Sequence, residues 1–139
     1  NRLLEARMAE LTAKQTPRGM VITLGDVLFD VDRSALKPAG TRMVDQLAEV
    51  LKADPRRTVL VEGFTDSTGA DAYNQTLSTD RADAVRVALL AQGIATTRVV
   101  SRGYGKANPV GSNDTAAGRQ LNRRVEIVLS DESGQIKAR

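Results

Sequence analysis

Two ionisable side chains, Asp66 and Arg81, stand where charge is not expected: one in a turn, the other in the apolar stripe of the helix that follows it. The stretch Gly63–Arg81 reads GFTDSTGADAYNQTLSTDR. Thr65-Asp66-Ser67-Thr68-Gly69 is turn chemistry, small polar side chains that bond their own backbone followed by a glycine. On a helical wheel of about 100° per residue with Leu77 at zero, Ala84 falls near −20°, Ala88 near +20°, Asn74 near +60° and Val85 near +80°. Arg81 falls at about +40°, inside that stripe. An ionised group taken out of water is costly unless it is paired. Arg81 therefore either lays its aliphatic stem along the stripe and carries its head to water, or it answers a partner. Asp66, at the mouth of the same helix, gives the second possibility a shape, because one negative and one positive group presented to a single pocket suit a zwitterion.

Other chemistries are narrowed by what is missing. Cys and His are both absent, which excludes disulfides, thiolate sites, most zinc sites and every Ser-His or Cys-His arrangement. The acids Asp26, Asp30 and Asp32 do not follow the spacing of a calcium loop, since Asp30-Val31-Asp32-Arg33-Ser34 lacks the glycine and the later Glu. No metal or cofactor site is expected. Arg102-Gly103-Tyr104-Gly105 is not a dinucleotide loop, because no third glycine opens a helix and Pro109 follows. Two alternatives to a binding pocket stay open on the residues alone. Asp66 with Asp30 or Asp32 could serve as the carboxylate pair of a glycan hydrolase. A basic nucleic-acid module is the other, but its support is thin: net charge is only +3, and aromatic residues are 3% with no Trp to stack bases.

The elements that position these residues can be read in order. The chain has 139 residues, 41% hydrophobic and 27% charged, which is the size and composition of one globular domain. Asn1–Gln15 reads as helix through Leu4, Met8 and Leu11 and is expected to be the end of an upstream helix or linker closed by Pro17, so the domain is placed at residues 18–130. The chain opens on Asn rather than Met, and any export signal or anchor is expected upstream. Gly19–Leu24 is a strand candidate with an arm or loop through Asp32. Pro38 opens a helix to about Ala53, with Met43, Leu47, Val50 and Leu51 on its apolar face. Thr58–Phe64 is a nearly continuous hydrophobic strand of the kind found in mid-sheet. The helix of the charged stripe runs from about Ala70 to Gln92, stopped by Gly93. Thr97–Arg102 is a strand, Asn113–Ala117 a surface loop, Arg119–Asn122 a helical turn, and Arg123–Leu129 the last strand, with Val125, Ile127 and Leu129 on one face. Residues 131–139 form a polar tail. The expected fold class is α+β, an α/β sandwich with a single mixed sheet of about four strands in β-α-β-α-β-β order.

The run Val61–Gly69, then Tyr73-Asn74, Leu77-Ser78, Arg81-Ala82, Gly93-Ile94, Arg102-Gly103-Tyr104-Gly105, Asn108-Pro109 and Asn122–Ile127, resembles the OmpA-like peptidoglycan-binding domain over about residues 19–130. That family includes the C-terminal domain of outer-membrane protein A, peptidoglycan-associated lipoproteins and flagellar stator proteins. The resemblance implies a non-catalytic module of the Gram-negative periplasm that grips meso-diaminopimelate in the peptidoglycan stem peptide, and that touches no nucleic acid. It would be attached to the outer membrane or envelope through its upstream region alone. By the same resemblance Asp66 takes the ligand's ammonium and Arg81 its carboxylate. Asn74 lies beside Arg81, and Thr68, Leu77 and the loop of Phe29, Asp30 and Asp32 line the pocket. Arg124 either supports the site, contacts the glycan or is an exposed strand charge. One position departs from the family's pattern, which writes Gly-His-Thr-Asp where this chain has Gly63-Phe64-Thr65-Asp66. Any orienting role of that His must be filled here by packing or not at all.

Overall fold

The computed structural model describes residues 14–16, 19–25, 38–130 and 136. Its sheet has five strands in the order β1-β2-β5-β3-β4. β1 (Lys14–Thr16) and β2 (Gly19–Gly25) pair antiparallel, with Thr16 opposite Gly19. β2 pairs antiparallel with β5 (Arg124–Leu129), which pairs antiparallel with β3 (Val59–Phe64). β3 pairs parallel with β4 (Val99–Gly103). The mixed α+β architecture is the one expected. Strand alternation sends Ile22 and Leu24, Val59 and Val61, and Val125, Ile127 and Leu129 to one face, where all are buried.

Helices α1 (Pro38–Ala53) and α2 (Asp71–Ala91) cover that face. α1 contributes Val44, Leu47, Ala48 and Leu51 to the core, and α2 contributes Ala82, Val85 and Leu89. Each fully buried Leu or Val contributes about 1.5–3 kcal/mol relative to exposure. The carbonyls at the end of α1 are satisfied by Arg98, whose Nη2 donates to Leu51 O at 2.9 Å and Asp54 O at 2.8 Å. α2 lies unusually close to β3 and β4 because both strands present glycine to it. A Cβ on Gly63 would overlap the Ser78 carbonyl, and one on Gly103 would overlap Thr79. α2 ends at Gly93, whose φ of 95° lets the Ile94 N–H return to Leu89 O at 3.3 Å.

Several expectations need correction. Lys14 and Gln15 are not helical but begin the edge strand β1; the rest of the proposed N-terminal helix lies outside the described residues. β1 makes the sheet five-stranded rather than about four. The third strand expected at Thr97–Arg102 starts later, because a 3-10 turn occupies Thr96–Arg98. The helical turn expected at Arg119–Asn122 starts earlier, as helix α3 (Ala116–Asn122), where Thr115 caps it by accepting from Gly118 N at 3.0 Å. The element order is thus β-β-α-β-α-β-α-β. The loop carrying Phe29, Asp30 and Asp32 lies outside the described residues, as does the tail apart from Ile136.

Candidate functional site

The site is built where β3 gives way to α2. β3 continues its pairing past its last residue, with Tyr104 N donating to Gly63 O at 2.9 Å and Thr65 N to Gly105 O at 2.6 Å. The chain then turns on itself. Thr65 Oγ1 donates to Asp66 O at 2.9 Å, and Asp66 Oδ1 accepts from Thr68 N at 2.8 Å, an Asx turn of the kind the sequence implied. Asn74, in the first turn of α2, ties the helix back to that turn, its Nδ2 donating to Thr68 O at 3.0 Å and to Asp66 O at 3.4 Å. From the other side Ser67 N donates to Asn113 Oδ1 at 3.2 Å.

Asp66 is 6% exposed. Its second oxygen, Oδ2, accepts from Arg123 Nη1 at 2.6 Å. Burial alone would push the Asp66 carboxyl up, but the Thr68 N–H and the Arg123 guanidinium outweigh it and hold the group below the ordinary carboxylate range. Asp66 is therefore ionised at neutral pH and has no proton to give.

Arg81 is 4% exposed. Its head does not reach water, which removes the snorkelling alternative. The buried residues of α2 are Asn74, Ser78, Arg81, Ala82, Val85 and Leu89, whereas Leu77, Ala84 and Ala88 are only half-buried. The buried stripe is thus centred at about +90° on the wheel, further round than the stripe of about −20° to +80° expected from the sequence, in whose middle Arg81 falls. Asn74 and Arg81, two turns apart, lie on its near edge, and Leu77 forms the shoulder beside them. Of the expected site residues, Asp66, Thr68 and Asn74 are joined by hydrogen bonds, with the Thr68 side chain exposed. Arg81 and Leu77 follow on the same helix. Asp32, Asp30 and Phe29 lie outside the described residues.

Arg124 is not an exposed strand charge. It is 3% exposed, with Nε on Glu126 Oε2 at 2.6 Å, Nη1 on Asn122 O at 3.2 Å and Nη2 on Asn108 O at 2.9 Å. Its guanidinium carbon sits 4.0 Å from the centroid of the Phe64 ring, a cation–π contact. Phe64, fully buried, also stacks on Tyr104 with centroids 5.3 Å apart and planes 11° from parallel. At Phe64, then, the position is held by packing. Arg124 thus packs against Phe64 on the sheet face opposite α1 and α2.

The residue missed by sequence reasoning is Arg123. A usable signal existed, because Arg123 has the parity of Val125, Ile127 and Leu129 and so belongs to the helix-bearing side, whereas Arg124 belongs to the other. Asn122 and Asn113 were also missed as functional supports. Asn122 is fully buried; its Oδ1 accepts from Val110 N at 2.7 Å and Gly111 N at 2.8 Å. Its Nδ2 donates to Gly111 O at 3.0 Å and Asn113 Oδ1 at 2.9 Å, which links it to the Asp66 turn. A cleft of about 390 Å³, lined by Thr23, Gly25, Ala117, Gln120, Leu121 and Arg123 with Arg124, adjoins the site through Arg123.

Comparison with known proteins gives this arrangement a context. The OmpA family profile matches residues 28–123. Outer membrane protein A of Bordetella avium is 44% identical over 119 residues, covering 84% of this chain and 61% of that protein. Peptidoglycan-binding protein ArfA of Mycobacterium tuberculosis is 40% identical over 109 residues, covering 78% of this chain and 33% of that protein. The chain therefore spans less than two thirds of the length of these relatives. Among solved structures, the peptidoglycan-associated lipoprotein from Burkholderia pseudomallei superposes with a TM-score of 0.70 at 31% identity, covering 78% of this chain and 89% of that one.

Proposed function

The chain belongs to the OmpA family, and from that premise we propose that it is a non-catalytic module that binds peptidoglycan and anchors an envelope protein to the cell wall. The ligand we assign to it is the meso-diaminopimelate of the stem peptide, whose free end carries an ammonium and a carboxylate. In this reading the Arg81 guanidinium takes the carboxylate through two parallel hydrogen bonds, a geometry Lys cannot copy. Asp66 takes the ammonium. Asn74 holds the turn and helix together beside them, Thr68 and Leu77 form the rim, and Phe29, Asp30 and Asp32 are assigned to the remaining wall. The protein would work in the periplasm, joined to the outer membrane or envelope through an upstream region.

The observation that carries the reading is the burial of an ionised acid and a guanidinium on one turn–helix unit, Asp66 at 6% and Arg81 at 4% exposed. Fixed charges out of water, held before a ligand arrives, lose little on binding it. The names of the ArfA relative and of the Burkholderia lipoprotein support the same partner. A hydrolase reading fares worse, since the acid of a glycosidase needs a raised pKa and Asp66 is held low.

Sedimentation with purified sacculi tests the proposal. The parent chain should pellet with the wall and release no soluble fragments. Asp66→Ala and Arg81→Ala should each stay in the supernatant while keeping the parent's circular dichroism, because truncating one partner of a buried charged contact costs about 2–5 kcal/mol. Soluble muropeptides in the parent's supernatant would instead establish an enzyme, and pelleting of both variants would sink the site assignment.

A further inference from the structure

Ser78 is fully buried in the stripe of α2, at a position where alanine would pack without a polar atom. A hydroxyl taken out of water is costly unless it is bonded, and this one is bonded twice. Its Oγ donates to Gln75 O at 2.9 Å, one turn back along the helix, and with its single proton so committed it accepts from Gly105 N at 2.9 Å. Gly105 carries the contact onward. At a φ of 59° it turns its carbonyl to the other side of the site, where it accepts from Thr65 N at 2.6 Å. Thr65 immediately precedes Asp66. A chain of hydrogen bonds thus runs from the middle of α2, through one glycine, to the start of the Asp66 turn. Two further bonds brace the same glycine turn: Gln75 Nε2 donates to Gly103 O at 2.6 Å, and Tyr104 N to Gly63 O at 2.9 Å.

The turn and the helix are also tied directly, by Asn74 Nδ2 to Thr68 O and Asp66 O. Asn74, Ser78 and Arg81 follow one another along the buried stripe at spacings of four and three residues, those of neighbours on one helix face. A single tie at Asn74 would leave a pivot, and apolar packing, being non-directional, resists a small rotation about it only weakly. Hydrogen bonds weaken steeply when misaligned, so a second tie four residues nearer Arg81 fixes the helix in rotation. We propose that Ser78 is a positioning residue: through Gly105 it sets where Arg81 stands relative to the Asp66 turn, without touching the ligand itself. The inference rests on the clamp reading above, in which binding groups must be held to within about 0.5 Å by supporting hydrogen bonds.

Sacculus pelleting and amide hydrogen exchange of the parent, Ser78→Ala, Ser78→Cys and Leu89→Val test this. Leu89→Val trims the core about two turns beyond Arg81 and so measures the effect of lost stability alone. Ser78→Ala should weaken pelleting about tenfold, the worth of one buried hydrogen bond, and should speed exchange of the Thr65 and Thr68 amides, neither of which touches residue 78. Leu89→Val should pellet as the parent does. Ser78→Cys, assayed under reducing conditions, should fall between parent and Ser78→Ala, because a thiol accepts weakly. Parent-like pelleting by a folded Ser78→Ala, or an equal loss in Leu89→Val at the same fall in melting temperature, would overturn the proposal. If Ser78→Ala does not fold, Ser78→Cys decides: pelleting weaker than that of Leu89→Val supports positioning, and pelleting equal to it refutes positioning. A parent that does not pellet overturns the binding reading instead. Exchange needs no ligand and then judges the coupling on its own: faster exchange at Thr65 and Thr68 in the Ser78 variants upholds it, and rates equal to those of Leu89→Val refute it.

Discussion

Asp66 concentrates the chemistry at the scale of single residues. Because its folded-state pKa lies below the unfolded value, its contribution to stability is complete above the ordinary 3.8 and is lost as pH falls through the lower folded value. The same ionisation governs an ammonium ligand. Sacculus binding should thus be flat between about pH 5 and 8, where no His exists to titrate, and should fall only in the acid range below the ordinary Asp value. Pelleting measured across pH checks this, and a midpoint near neutrality would contradict it. Phe64 makes a linked prediction. Phe64→His would bury an imidazole against Tyr104 and under the Arg124 cation, both of which disfavour its protonation. A His depressed in the folded state costs stability once the unfolded chain protonates, so this variant should melt progressively lower as pH drops below about 6.5. The parent should show no such slope over that range.

At the scale of elements, the site depends on how near α2 lies to the sheet and how firmly the loop before α3 grips the turn. Gly63→Ala would drive a methyl into the Ser78 carbonyl, and since backbone cannot rotate aside, the helix must shift. An overpacking cost of about 1–3 kcal/mol should appear in denaturant unfolding, accompanied by loss of sacculus binding as Asn74 and Arg81 move with the helix. Asn122→Ala removes a fully buried amide and takes the partner from Val110 N, Gly111 N and Gly111 O; because that loop lies at the surface and water can replace part of what is lost, the cost should be about 1–3 kcal/mol in all. Its binding loss should be partial, because it loosens the turn only through Asn113. The long elements were legible in sequence for a simple reason: α1 and α2 run for several turns, so apolar periodicity and the Pro38 and Gly93 punctuation define them. The short ones were not. β1 has three residues and is defined by backbone pairing with β2, which leaves no side-chain pattern, and the seven residues of α3 are too few for a period to show. The charged stripe was legible in outline, since burial of Arg81 follows from its wheel position, but its centre was misplaced because Ser78 is buried for its bond to Gly105 N at 2.9 Å, which hydrophobicity does not signal.

Across the whole molecule, the site joins segments far apart in the chain. Asp66 follows β3, Arg81 rides on α2, and Arg123 enters β5, which lies beside β3 only through sheet pairing. Propensity and periodicity are local, so the Arg123–Asp66 contact could not be read from them without the strand order, even though strand parity pointed Arg123 to the correct side. The two buried faces of β3 explain its unbroken hydrophobic run: Val59 and Val61 meet the helices, while Glu62 and Phe64 are buried on the opposite face. In the proposed reading the sheet holds Asp66 and Arg81 as the two ends of a clamp for a wall component. The most direct test of that account is competition. Protein bound to sacculi should be released by free meso-diaminopimelate and scarcely at all by equimolar lysine, which carries only one amino-acid centre. Release by neither compound, or equal release by both, would contradict the zwitterion clamp.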